Sequence, residues 1–323
     1  MLDLILDSLR VVALSTKTNF RSVTSREVAL FQGPYGWAEF SPFVEYSDRE
    51  SVPWLVSAIE AAFVEPLPLL REVVSINATL PAVDVPRQIA EILDLFSGAR
   101  VVKIKVGGSL ADDLARIANV RQLRPDAAIR IDVNGLWSVD QAEDFLNQVG
   151  EIEYVEQPCA TIDELRELKR RIRIKIVGDE IIRKADDPFA VNLEGAIDIL
   201  MLKVAPLGGI RRALEIANYH KIPIAVSSAL ESAVGISHGL RLAAIAPELN
   251  YASGLGTGAL LAQDVAELPI INGEIQVKDI APDRQALKNF AVSSQRLNWW
   301  VNRIRMTWNA GANTMISERG WDR

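Results

Sequence analysis

A chain of 323 residues, 49% of them apolar, is long enough for a parallel barrel of about 250 residues and one further small domain. A net charge of −7 argues against nucleic acid as a partner, and no apolar run reaches the roughly 20 residues that span a bilayer. Cys159 is the only cysteine and cannot form an intrachain disulfide, while His220 and His238 are too few for a histidine-rich zinc site, so oxygen ligands and a hard cation such as Mg²⁺ are expected.

The start at Met1-Leu2-Asp3 lacks the basic flank of a signal peptide, so the chain reads as cytoplasmic. Leu9–Leu14 and Glu27–Phe31 have the pattern of antiparallel strands and Val52–Phe63 that of a helix, which makes residues 1–74 an α+β capping domain. Eight strand-like runs then begin near Ser75, Val101, Ile129, Glu153, Lys175, Asp198, Ile222 and Asn250. Between them lie amphipathic segments such as Leu110–Leu123 and Ser138–Val149, the second opened by a Ser138 cap. Strands alternating with helices predict a (β/α)7β-type parallel barrel over residues 75–282. In residues 283–323, Trp299, Trp300, Trp308 and Trp321 stand among Arg296, Arg303, Arg305, Arg319 and Arg323. The expectation is a terminal helix that returns to the cap and packs its tryptophans there, with arginine stems at its edge. A surface for a partner is the alternative.

Lys105, Asp132, Glu156, Asp179 and Lys203 follow one another at intervals of 27, 24, 23 and 24 residues, each at the end of an apolar run. One strand, one helix and two loops fill such an interval, so these five groups gather at the mouth of the barrel. Buried charges cost several kcal/mol unless paired or metal-bound, which points to a site. Three neighbouring carboxylates, Asp132, Glu156 and Asp179, need a divalent cation to hold them together, and one ligand per strand leaves positions open for water and substrate. Asp140 and Asp163, by contrast, belong to helix starts.

Lys103 and Lys105, two apart on one strand, face the same side; their mutual repulsion favours one neutral lysine, which is a base. Strands two and six of eight are opposed, so Lys203 faces Lys105 across the mouth with the metal between them. That arrangement suits removal of a proton α to a carboxylate, with positive charge where the enediolate develops. Asn134 is a candidate support for the ligand shell, and Arg130 a candidate partner for a carboxylate deeper in the barrel. Glu180 points the other way from Asp179 in an extended strand and belongs behind it.

These pieces, Lys103-Ile-Lys105, Arg130-Ile-Asp132-Val-Asn134, Glu156-Gln157-Pro158, Gly178-Asp179-Glu180 and Leu202-Lys203 with Gly208-Gly209, resemble the enolase superfamily in its muconate-lactonizing subgroup. That superfamily is a known user of a lysine or histidine base with Mg²⁺. More narrowly, Gly36-Trp37-Ala38-Glu39-Phe40-Ser41-Pro42-Phe43, Ser227-Ser228-Ala229-Leu230-Glu231-Ser232 and Ser253-Gly254-Leu255-Gly256-Thr257-Gly258 resemble the o-succinylbenzoate synthase family of the actinobacterial type. The resemblance implies a hydro-lyase of menaquinone biosynthesis that dehydrates 2-succinyl-6-hydroxy-2,4-cyclohexadiene-1-carboxylate to 2-succinylbenzoate. It implies Lys105 as the base, Lys203 as the stabiliser of the enediolate, and Mg²⁺, replaceable by Mn²⁺, on the three acids. Ser228, Ser253, Gly254 and nearby backbone amides become candidates for holding the succinyl tail. Segments 16–24 and 39–47 become expected lids, with Ser41, Phe43 and Glu45 shaping the pocket.

N-succinylamino acid racemase is the alternative activity, because its substrate carries a similar acyl tail. A dipeptide epimerase needs acids near the eighth strand to pair an ammonium, and none occurs there before Asp264. A metal-free aldolase using Lys105 or Lys203 as a Schiff base leaves three carboxylates facing one cavity without neutralisation. A small-molecule carboxylate is therefore the expected partner; the sequence specifies no oligomeric state.

Overall fold

The computed structural model describes residues 1–20 and 23–322. Residues 21 and 22, part of the first expected lid, lie outside the described residues.

The capping part begins with helix α1 (Leu2–Ser8) and three antiparallel strands, β1 (Arg10–Phe20), β2 (Val23–Gly33) and β3 (Gly36–Phe40), in the order β1-β2-β3. Helix α2 (Asp48–Phe63) follows, starting four residues earlier than its apolar pattern. The earlier start has a local cause: Ser47 and Glu50 form a capping box that satisfies the first amides. Strand β4 (Val73–Ser75) pairs antiparallel with a late strand (Glu274–Gln276) outside the barrel. The first strand-like run therefore divides, and its barrel part is β5 (Ala78–Leu80).

The barrel continues with α3 (Pro86–Asp94), β6 (Val101–Lys105), α4 (Leu110–Leu123), β7 (Ala128–Asp132), α5 (Val139–Gln148), β8 (Tyr154–Glu156), α6 (Ile162–Arg171) and β9 (Ile176–Gly178). After the short α7 (Glu180–Arg183) come β10 (Ile199–Lys203), a helical turn α8 (Val204–Leu207), α9 (Ile210–His220), β11 (Ile224–Ser227) and α10 (Ala233–Ile245). The seven strands β5 to β11 lie side by side in chain order, each parallel to its neighbours. The eighth run forms no named strand. It closes the barrel through two parallel bridges, Ile76 with Ser253 and Ser227 with Gly254. A glycine-rich run is a poor strand former, and Gly254 is required here: a Cβ would lie 2.4 Å from the Ser227 hydroxyl oxygen.

Ser109 and Ser138 accept from the third amides of α4 and α5, as short polar residues at helix starts do. Inside the barrel, Tyr154, Val177, Ile199, Met201 and Ala225 fill the lower layers. The space between barrel and helices belongs to one apolar cluster that also takes in Val12, Leu14, Val28 and Leu30 of the capping strands and extends to Ile280. A second cluster joins β2, β3 and α2 to the C-terminal helix at Ser294–Thr307, where Trp300 is fully buried and donates its indole N–H to Glu27. Arg296 lies 3.8 Å over the Trp299 ring, the snorkelling edge the sequence suggested. Among the described residues, no helix is long and apolar enough to cross a membrane.

Candidate active site

Strand register brings the charged residues together. Lys105 pairs laterally with Asp132, and Asp132 with Glu156, so three neighbouring strands end in one row of charges. Alternation turns Lys103 to the same side, one layer deeper. Asp179 sits just past β9, where the chain turns into α7, and Lys203 ends β10. Lys103, Lys105, Asp132 and Lys203 line one cavity with Phe43, Thr79, Ser227, Ser228, Ala229 and Thr257. Thus the two opposed lysines share a chamber that the capping residue Phe43 covers.

The lysine nitrogens stand against the carboxylates. Lys103 Nζ is 2.8 Å from Glu156 and 3.3 Å from Asp132; Lys105 Nζ is 2.8 Å from Asp132 and also donates to Asn134. Lys203 donates to Asp179 at 2.6 Å, and Arg183 Nε reaches the other Asp179 oxygen at 3.1 Å. Burial works against the Lys103 charge, but Glu156 and Asp132 outweigh it and hold the ammonium above its ordinary range. Lys103 is therefore not the neutral member of the lysine pair. Burial likewise opposes the Asp132 charge, and Lys105 and Lys103 overcome it, holding that carboxyl below its ordinary range. Glu156 goes the other way: burial and then repulsion from Asp132 raise it despite the Lys103 contact.

Among the described residues, no three His, Cys, Asp or Glu side chains converge as a ready ligand set. The donor chemistry nevertheless fits a hard cation. Three carboxylates stand at or just past the ends of adjacent strands, and among the described residues the buried Glu156 Oε1 finds no hydrogen-bond partner while its neighbour Asp132 repels it. A cation there supplies the missing partner and removes the repulsion.

The supporting residues divide. Asn134 joins the site, linking Lys105 to Glu180 through a 3.0 Å bond from its amide nitrogen. Glu180 is turned by α7 rather than by strand alternation, because β9 stops at Gly178, and it pairs with Arg183. Arg130 does not join the site. It points to the lower barrel, bonded to Glu153, Asn77 and the Ala252 carbonyl, with its guanidinium 4.6 Å over the Tyr154 ring. Depth along the strand separates it from Asp132, which shares its face.

Of the tail candidates, Ser228 lines the cavity and bonds the Gly254 carbonyl (2.6 Å) and Thr257 (2.8 Å). The Gly254 amide is committed to the Val226 carbonyl, so it is not a donor for a substrate tail. Ser253 is fully buried in the closure between Ser75 and Asn77 and does not line the cavity. Phe43 lines the cavity; Ser41 lies behind it, bonded to Glu39 at 2.5 Å, and Glu45 is exposed. Sequence reasoning gave no role to Thr79, Thr257 or Gln157. The buried Gln157 side chain accepts the Asp179 backbone N–H at 3.0 Å and so holds that residue's turn. Its place between Glu156 and Pro158, in a motif already marked, was the available signal.

Residues 87–282 match the family model described as enolase C-terminal domain-like, and residues 11–62 the one described as enolase N-terminal domain-like. The chain belongs to the enolase superfamily. It is 50% identical over 308 residues to the o-succinylbenzoate synthase of Mycobacterium ulcerans, covering 93% of each chain. To that of Mycobacterium tuberculosis it is 49% identical over 311 residues, covering 94% of each. Among solved structures, muconate lactonizing enzyme from Pseudomonas fluorescens, complexed with muconolactone, superposes with a TM-score of 0.74 at 23% identity, over 88% of this chain and 98% of that one. The enzyme from Pseudomonas putida gives 0.73 at 21%, with the same coverage. At these identities the structures show the fold, a (β/α)7β barrel with its capping domain.

Proposed function

We propose that this chain is an o-succinylbenzoate synthase, a hydro-lyase that converts 2-succinyl-6-hydroxy-2,4-cyclohexadiene-1-carboxylate to 2-succinylbenzoate in menaquinone biosynthesis. One observation carries the chemistry: Lys105 and Lys203, from opposed strands, line one cavity beside Asp132. Identity of about half over nearly the whole of the synthase relatives supports the substrate. The cytoplasmic location expected from the sequence is part of the proposal.

Asp132, Glu156 and Asp179 would hold Mg²⁺, with Mn²⁺ as a substitute, and the bound ion supplies positive charge beside the substrate carboxylate. Lys105, oriented by Asp132 and Asn134, removes the proton α to that carboxylate. The C–H electron pair moves into the carboxylate as negative charge, which the Lys203 ammonium offsets from the opposite side. The pair then returns to the ring, the C–O bond breaks, hydroxide leaves, and the ring becomes aromatic. Lys103 keeps its proton and balances Glu156 and Asp132 from below. Phe43 and Ser228 are the walls against which the succinyl tail packs.

N-succinylamino acid racemase is the second reading, favoured by the same two lysines, since a racemase needs an acid and a base on opposite faces. Turnover of both substrates by the wild type, with D₂O exchange by Lys105→Ala and Lys203→Ala, separates the two. A synthase loses proton abstraction with Lys105→Ala and roughly 3 kcal/mol or more of transition-state stabilisation with Lys203→Ala. Wild-type racemisation rivalling dehydration, together with enantiomer-specific exchange by each mutant, moves the assignment to the racemase or a bifunctional enzyme. Absence of dehydration refutes the synthase.

A further inference from the structure

Two walls of the cavity come from distant parts of the chain. Phe43 belongs to the capping part, and Ser228 and Ala229 to the turn after β11. Arg26, on β2, stands behind both walls and is only 3% exposed. Its Nε donates to the Leu230 carbonyl at 3.2 Å. Its Nη2 donates to the Ser41 carbonyl and, at 3.2 Å, to the Ser41 hydroxyl. Its guanidinium carbon lies 4.4 Å from the centre of the Phe43 ring.

The turn needs such a hold. Leu230 has φ +63°, a left-handed conformation that a branched side chain resists. Ala229 is tied by its N–H to Glu231 at 2.6 Å, and Ser232 and Gly235 by theirs to Glu39 at 3.1 Å. These bonds fasten both flanks of the turn, and the Arg26 bond fastens the Leu230 carbonyl between them. A planar guanidinium donates along its edge while stacking by its face, so one group grips a carbonyl on the barrel and a ring on the cap together; a lysine ammonium, a single point charge, has no planar fork with which to hold both at once.

We propose that Arg26 is a positioning residue that determines specificity: it locks Phe43 and the Ser228–Leu230 turn to each other and so sets the width of the cavity between the ring and the Ser228 hydroxyl. The choice of substrates in the test rests on the synthase reading. Arg26 touches neither the lysines nor the carboxylates, so its loss changes which acyl tail fits and leaves the proton transfer chemistry in place.

The test is Arg26→Lys, Phe43→Leu and the double variant, with kcat and KM measured on the cyclohexadiene substrate and on an N-succinylamino acid. Arg26→Lys is expected to raise KM about tenfold for the cyclohexadiene substrate, to change kcat less than threefold, and to shift the ratio of kcat/KM between the substrates about tenfold. In the Phe43→Leu background the same change adds no more than about twofold. Equal losses on both substrates, or full additivity with Phe43→Leu, overturn the proposal. Should Arg26→Lys fail to fold, Phe43→Leu and Ser228→Ala take its place; strictly additive effects on the substrate ratio overturn it there too. Wild-type inactivity on both substrates sinks the functional reading alone. The positioning is then read from hydrogen exchange: faster exchange of the 228–235 amides in Arg26→Lys supports it, and unchanged protection refutes it.

Discussion

Glu39→Gln tests whether the capping domain is docked through a carboxyl that carries a proton. Glu39 is 5% exposed and accepts from Ser41, from the Ser232 and Gly235 amides and from the Ser232 hydroxyl. Burial first, then repulsion from Glu231, pushes its pKa up from 4.5 to about 7, against the pull of Ser232, Ser41 and Arg26. A folded-state pKa above the unfolded one means that the folded chain binds the proton more tightly. Stability from this group is thus fully present below pH 4.5 and is lost as pH rises to about 7. At 1.36 kcal/mol per pH unit the gap corresponds to about 3 kcal/mol. Glutamine keeps the shape and one acceptor oxygen and cannot ionise, so the difference between wild type and Glu39→Gln isolates the titration. Urea unfolding of the chelator-treated protein between pH 4.5 and 7.5 should show wild type losing about 3 kcal/mol relative to the variant. A flat or rising difference refutes the reasoning.

Two further outcomes follow from the geometry. Exhaustive chelation should abolish turnover and Mg²⁺ or Mn²⁺ should restore it, while Asp132→Ala, Glu156→Ala and Asp179→Ala each remove turnover with the barrel folded by circular dichroism; a near-normal rate in any one shows that the residue is not a ligand. Gly209→Ala should destabilise the fold by about 3 kcal/mol in chemical denaturation, because its Cβ falls 1.8 Å from Glu60 Oε2 at φ +110°, whereas Gly258→Ala, with only Asp264 in ordinary contact at 3.7 Å, should cost under about 1 kcal/mol.

What the sequence revealed is local in cause. Leu110–Leu123 forms a helix over those very residues because Ser109 caps it and Ile117 and Val120 face inward, the paired Asp113 and Arg116 completing the buried side in place of Leu110 and Ala118. Lys105, Asp132 and Glu156 emerge as lateral neighbours because each ends a strand of one parallel ladder. Arg130, two before Asp132 on the same face, lies deeper as expected and pairs the lower carboxylate Glu153, so it braces the barrel and stands apart from the cavity. The eighth run takes its expected place between the first and seventh strands but stays at two parallel bridges, because Gly254 must approach Ser227 closely.

The docking of the cap was hidden for a different reason. Glu60, on α2, accepts the Arg211 amide at 3.1 Å in the first turn of α9, and Glu39, on β3, accepts the Gly235 amide in the first turn of α10. Two capping-domain carboxyl groups thus sit at the starts of two successive barrel helices, where their oxygens accept amides that have no partner within the helix. Gly209 and Gly235 are the complement, since a Cβ at either would overlap the approaching glutamate. A glycine pair after Lys203 is visible in the sequence as a motif. The reason for it is a side chain some 150 positions earlier, which only the closed fold brings to the same place.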